Sequence, residues 1–134
     1  VVGQCDRLLD SQTTLTLFSI ATEAVNNARK HANADLIRIM MGLEQDMLVL
    51  VIEDNGRGFD LEKVLAEARV REGHLGLLNL FERAALVDGA MHIDTAPGKG
   101  TRVAVAIPLE VLRQRKAEEM NQQPEEESAS LAAD

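Results

Sequence analysis

Four short stretches of the chain carry residue types that could do chemistry. In the first, Glu23 and Asn27 stand four apart, with Lys30 and His31 close behind. On a helix, residues four apart share a face. Their oxygens suit a hard cation such as Mg2+, which keeps several waters and leans on substrate phosphates for its other ligands. Lys30 adds a point charge for those phosphates. An ordinary solvated helix face accounts for the same residues without a ligand, and His31 fits equally well as a ring packed at a helix end. The second stretch, LVLVIEDNGRGFD at residues 48–60, ends a run of strand formers in Asp54, Asn55, Gly56 and Gly58. Asn-Gly is a frequent hairpin turn. A carboxylate at a strand end, beside backbone free of side chains, can also accept a hydrogen bond from an exocyclic amine such as that of adenine. A site of that kind rejects analogues lacking the amine, because the acid is left unpaired. The alternate ligands and closing Glu of an EF-hand calcium loop are absent.

The third stretch places Gly73, His74, Leu75, Gly76 and Leu77 at the start of an apolar helical pattern. Backbone N–H groups at a helix start, next to permissive glycines, can hold an anion. A plain helix-opening loop has the same composition. The Gly-Lys-Ser/Thr of a P-loop is missing, and no Gly-x-Gly-x-x-Gly follows a strand. The fourth, APGKGTRVAVAIP at residues 96–108, brackets a turn between Gly98 and Gly100 and opens a strand with the Thr101 hydroxyl. Hairpin geometry explains this stretch as well as ligand binding does.

The elements needed to hold these residues can be read from periodicity. Residues 13–32 lack Gly and Pro, and Leu15, Phe18, Ala21 or Thr22, and Val25 recur at helical steps, which predicts an amphipathic helix behind Ser11. Residues 35–43 and 47–53 read as two strands of a hairpin around Glu44-Gln45-Asp46. A short helix follows at 61–70, then a longer one from Leu75 or Gly76 to Val87, stopped by Asp88-Gly89. Strands at 90–95 and 101–107 close the pattern. That order predicts an α/β fold, a two-layer sandwich with one layer of helices on a mixed sheet.

Composition narrows the function classes. The 134 residues allow one domain with a real core. Aromatic residues make up 2% of the chain, without Trp or Tyr, and the formal charge is -8. Both argue against a nucleic-acid binder, which needs stacking platforms or a basic surface. They leave room for a single nucleotide. Cys5 is the sole cysteine, so no internal disulfide forms and a reducing compartment fits. No apolar run approaches the roughly 18 residues of a membrane span. The organisation expected is a linker at 1–12, a domain at 13–110, and a polar, acidic tail at 111–134 that is largely disordered.

The four stretches occur in a telling order: Glu-x-x-x-Asn-x-x-Lys-His, Asp-Asn-Gly-x-Gly, Gly-His-x-Gly-Leu and Pro-Gly-x-Gly-Thr. Together they resemble the ATP-binding catalytic domain of bacterial sensor histidine kinases, in the subgroup of nitrate sensors and the membrane-fluidity thermosensor. TEAVNNARKHA is similar to that family's N box, EDNGRGFD to its first glycine box, REGHLGLLNLFERA to its lid with the second glycine box, and APGKGTRVAVAIP to its glycine-threonine motif. The resemblance covers residues 13–109.

The resemblance implies the Bergerat ATP-binding fold of the GHKL superfamily, with ATP and Mg2+ as cofactors. Asp54 would bind the adenine amine, Gly56 and Gly58 would let the ring approach, and Thr101 would join that contact, commonly through water. Asn27 would hold Mg2+, Lys30 would reach the phosphates, His31 matches the box, and Glu23 would polarise the attacking nucleophile. Gly73, His74, Leu75, Gly76 and Leu77 would form the lid. The implied partners are a His-bearing dimerisation domain of a homodimeric parent kinase and a response regulator, with the isolated domain a monomer and the location cytoplasmic. None of His31, His74 and His92 has the setting of the family's phospho-accepting His, so the chain is expected not to phosphorylate itself. A nucleotide-dependent switch like the anti-sigma-factor kinases, or a hydrolytic GHKL ATPase, are the alternatives.

Overall fold

The computed structural model describes residues 8–68 and 75–122. Helix α1 (Ser11–Asn27) continues into one π-helical turn (Ala28–Ala32) and ends where Asn33 takes a left-handed conformation at φ 51°. Strands β1 (Ile37–Glu44) and β2 (Met47–Asp54) follow, then α2 (Leu61–Ala68) and α3 (Leu75–Leu86), then β3 (Ala90–Thr95) and β4 (Thr101–Pro108), and last α4 (Leu109–Gln122). The four strands form one sheet in the order β1-β2-β4-β3.

Period-two alternation decides the faces of that sheet. Leu48, Leu50 and Ile52 of β2, Val103, Val105 and Ile107 of β4, and Ile93 of β3 meet Leu17, Ile20 and Ala24 of α1 and Leu77, Leu80 and Ala84 of α3 in one core. The α/β sandwich is therefore as expected, but the sheet is not mixed, because β1–β2, β2–β4 and β3–β4 all pair antiparallel. The crossover through α2 and α3 does return β3 parallel to β2. The hairpin then folds β4 back between them, so each strand has antiparallel neighbours.

Two other expectations are corrected. The core stripe of α1 is Thr13, Leu17, Ile20 and Ala24, whereas Leu15 and Phe18 point outward at 69% and 71% exposure. Both registers have helical spacing, and packing on β2 and α3 selects the one with Leu17 and Ile20 at its centre. The polar stretch after residue 111 also does not leave the domain at once. Leu112 of α4 is completely buried, and α4 grips the lead-in to α1. The buried Asp10, not Ser11, caps α1 by accepting from the Thr13 N–H. The Arg115 guanidinium lies 3.6 Å from Asp10 and donates to the Thr13 hydroxyl. Ser11 N–H donates to Glu119 at 2.9 Å, and Lys116 donates to the Leu9 carbonyl. Residues 8–12 thus belong to the folded unit; residues 1–7 and 123–134 lie outside the described part.

Candidate functional site

The chemistry-bearing residues gather at one end of the sandwich for a topological reason. α3 ends beside Gly89 and the start of β3, where Ala90 faces Ala106, so its first residue, Leu75, lies about 18 Å away towards the other end of the sheet. α1 begins against α4, which leaves the sheet after Pro108 at the Ala90–Ala106 end, and its last turn connects through a short segment to Ile37 at the opposite end. Asp54 faces Ile37 on one side and Thr101 on the other, and Thr101 faces Thr95. One cross-strand row, Ile37–Asp54–Thr101–Thr95, therefore sits at the end of the sheet where α1 finishes and α3 starts.

This row continues the helix-covered face. Asp54 follows Leu48, Leu50 and Ile52 at steps of two, and Thr101 precedes Val103, Val105 and Ile107. The apolar core thus gives way to a carboxylate and two hydroxyls at its last layer. Asp54 Oδ1 accepts the Gly56 N–H at 2.8 Å, leaving Oδ2 without a partner among the described residues. The neighbouring acid Glu53 faces the opposite side and pairs with Arg102 at 3.2 Å, so Asp54 is the carboxylate presented on the helix side.

Asn55-Gly56 does not close a hairpin. Asn55 Oδ1 accepts the N–H groups of Asp35 and Leu36, each at 2.9 Å, and Asn55 N–H donates to the Leu36 carbonyl. The side chain ties the connection after α1 to the end of β2. The hairpin turns lie elsewhere, at Gln45-Asp46, both with positive φ, and at residues 96–100. Gly58 and Gly100 have local reasons for being glycine. A Cβ on Gly58 (φ +62°) would stand 2.1 Å from the Ala96 carbonyl oxygen, and one on Gly100 (φ +72°) 2.2 Å from that of Asp54. These two glycines let the 54–58 loop and the 96–100 turn press backbone on backbone beneath the row.

Glu23 and Asn27 are half-buried and share one flank of the α1 core stripe, opposite the flank where Ala21 and Val25 pack against the core. Neither makes a side-chain hydrogen bond to a described residue. Lys30 is exposed on the π turn that follows; for His31 only the backbone is described. Leu75 and Gly76 open α3. Leu77 belongs to the core cluster, so it roots the helix rather than lining a free surface. Gly73 and His74 lie outside the described residues. The sequence reading missed Thr95, whose hydroxyl accepts from Phe59 N–H at 3.2 Å, donates to the Gly100 carbonyl at 2.9 Å and lies 3.0 Å from the Thr101 hydroxyl. Pairing the two strands around Pro-Gly-Lys-Gly would have found it, since Thr95 and Thr101 flank that turn symmetrically.

No group of three or more His, Cys, Asp or Glu suited to a metal ion occurs among the described residues. The donor set Glu23 and Asn27 thus fits Mg2+ only as an ion carried on phosphates, since such an ion needs few protein ligands. No helix among the described residues is long and apolar enough to cross a membrane.

Comparison with known proteins gives the family of this fold. Residues 12–111 match the model of the histidine kinase-, DNA gyrase B- and HSP90-like ATPases, and the chain belongs to that family. Its relatives are sensor histidine kinases. A sensor-like histidine kinase of Chloroflexus aurantiacus is 45% identical over 103 residues, 76% of this chain and 17% of that protein. The histidine-protein kinase/phosphatase DegS of Bacillus subtilis is 39% identical over 105 residues, 78% of this chain and 26% of DegS. The chain spans about a quarter or less of the length of these two relatives. Among solved structures, the ATP binding domain of PrrB from Mycobacterium tuberculosis superposes with a TM-score of 0.56 at 26% identity, over 70% of this chain and 67% of that one. The histidine kinase domain of the Erythrobacter litoralis blue-light activated kinase gives 0.57 at 23% identity, over 73% of this chain and 45% of that one, a likeness of fold.

Proposed function

We propose that the chain binds ATP with Mg2+ and presents its γ-phosphate to a His on a dimerisation domain outside these residues, which then passes it to a response regulator. The observation that carries this reading is the row of Asp54 and Thr101 at the end of the sheet where α1 finishes and α3 begins. Adenine sits against Asp54, whose Oδ2, without a partner among the described residues, accepts from the 6-amino group, with Thr101 beside it. From there the ligand extends between the end of α1 and the start of α3. Backbone N–H groups at the start of α3 face the phosphates, and Gly73 and His74 belong to the lid over them.

Asn27 and Lys30 then hold the phosphate end, and Glu23, one turn before Asn27, orients and polarises the attacking imidazole. Mg2+ bound with the nucleotide supplies neutralisation of phosphate charge. Catalysis on this chain is chiefly positioning. His92 lies on the sheet face opposite the row.

Asp54→Asn and Asn27→Ala separate the two halves of the site in a nucleotide-binding titration. Asp54→Asn weakens ATP about 10- to 100-fold with or without Mg2+, the scale of a hydrogen bond to a charged group. Asn27→Ala weakens only the Mg2+-dependent part. Parent-like binding by both variants refutes the site. Incubation of the chain alone with labelled ATP leaves no acid-labile phosphate on it; a stable phosphohistidine there refutes transfer to a separate domain.

A further inference from the structure

We propose that Thr95 fixes the direction of the Thr101 hydroxyl and so helps select a 6-amino over a 6-keto purine; this rests on the nucleotide reading above. A threonine hydroxyl has one proton and two lone pairs. The Gly100 carbonyl can only accept, and Thr95 Oγ1 lies 2.9 Å from it, so the Thr95 proton is committed there. The Phe59 N–H can only donate and takes one Thr95 lone pair at 3.2 Å. The remaining contact, 3.0 Å between the Thr95 and Thr101 oxygens, must therefore be donated by Thr101.

That bookkeeping leaves Thr101 with lone pairs alone to offer a ligand. Its cross-strand neighbour Asp54 is likewise an acceptor, with Oδ1 already taken by Gly56 N–H. The row presents acceptors side by side. A 6-amino purine brings two N–H groups to such a row, directly or through a bound water. A 6-keto purine brings an acceptor at position 6 and a donor only at N1, and repulsion of the keto oxygen by the row cannot be relieved by rotating Thr101, because the Thr101 proton is held by Thr95. Thr95 thus acts on the base through Thr101; it is a positioning residue that touches no ligand.

The test measures dissociation constants for ATP and for inosine triphosphate, which differ at this edge of the base, in the parent, Thr95→Val, Thr95→Ser and Asp54→Asn. The parent prefers ATP. Thr95→Val frees the Thr101 proton to donate to a keto oxygen, and the ATP-to-ITP preference narrows about three- to tenfold, the worth of one neutral hydrogen bond. Thr95→Ser keeps the hydroxyl and restores the parent preference. If Thr95→Val weakens both nucleotides by one factor, or the serine variant fails to restore the ratio, the proposal is overturned. Asp54→Asn distinguishes the two levels. A ratio that collapses in Asp54→Asn but holds in Thr95→Val defeats the Thr95 proposal alone, whereas a ratio unmoved by Asp54→Asn defeats the nucleotide site and the proposal with it.

Discussion

Replacing Gly100 and Gly98 by alanine, one at a time, tests whether the floor of the site depends on backbone contact. Both have positive φ, +72° and +82°. An L residue forced into that region costs about 1–2 kcal/mol. Gly98 has open space around a new Cβ, so Gly98→Ala meets only that cost. Gly100 does not, since its Cβ would lie 2.2 Å from the Asp54 carbonyl oxygen and 3.3 Å from Asn55 Cα. Ordinary contact requires one of these backbones to retreat by about 1 Å or more. The obstacle is backbone in a paired strand, not the far end of a flexible side chain, so the retreat breaks the Asp54–Thr101 end of the β2–β4 ladder. Overpacking of this kind adds about 1–3 kcal/mol, for a total of roughly 2–5 kcal/mol against 1–2 for Gly98→Ala. Urea denaturation of both variants reads the difference, and ATP titration reads the site. Gly98→Ala retains parent affinity and Gly100→Ala loses it. Equal stability of the two variants, or parent-like binding by Gly100→Ala, would refute the claim that close backbone approach builds this floor.

Leu112→Ala removes a completely buried side chain and lowers stability by about 2–5 kcal/mol, whereas Met120→Ala, 64% exposed on the same helix, changes it by less than about 0.5 kcal/mol; equal effects in thermal melts would detach α4 from the domain. The hydroxyl and N–H of Ser11, with Lys116 adding to them, hold the Glu119 carboxyl below its ordinary value of 4.5. A depressed carboxylate stabilises the fold above its unfolded pKa and loses that contribution as pH falls through the folded one. The clamp between α4 and the lead-in to α1 therefore loosens below about pH 4.5, and Glu119→Gln flattens this part of the acid limb in a stability-against-pH series.

The local chemistry of this protein was legible in its sequence. The continuous apolar run at 47–53 and the Val-Ala alternation of 101–107 specified β2 and β4, the first as a largely buried strand and the second as one buried on a single face. The stop at Asp88-Gly89 and the 96–100 turn were legible too, although Asp88 (φ 57°) and not Gly89 takes the left-handed conformation after α3, while Gly98 and Gly100 take it in the turn. The order of Glu23-Asn27, Asp54-Gly56-Gly58, Gly73-Gly76 and Gly100-Thr101 pointed to one family, which the match over residues 12–111 bears out. What tertiary structure alone decided was which of several locally equivalent options is used. α1 carries two apolar stripes with helical spacing, and only packing against β2 and α3 chooses Leu17 and Ile20 over Leu15 and Phe18. The polar composition of α4 hides one buried leucine and an arginine reaching Asp10 and Thr13, contacts about a hundred residues apart in the chain. The antiparallel sheet follows from β4 inserting between β2 and β3, a pairing no local pattern encodes. The cross-strand row is the same kind of fact: Asp54, Thr101 and Thr95 become neighbours only through the register of three strands, and that register is set by the burial of the residues behind them.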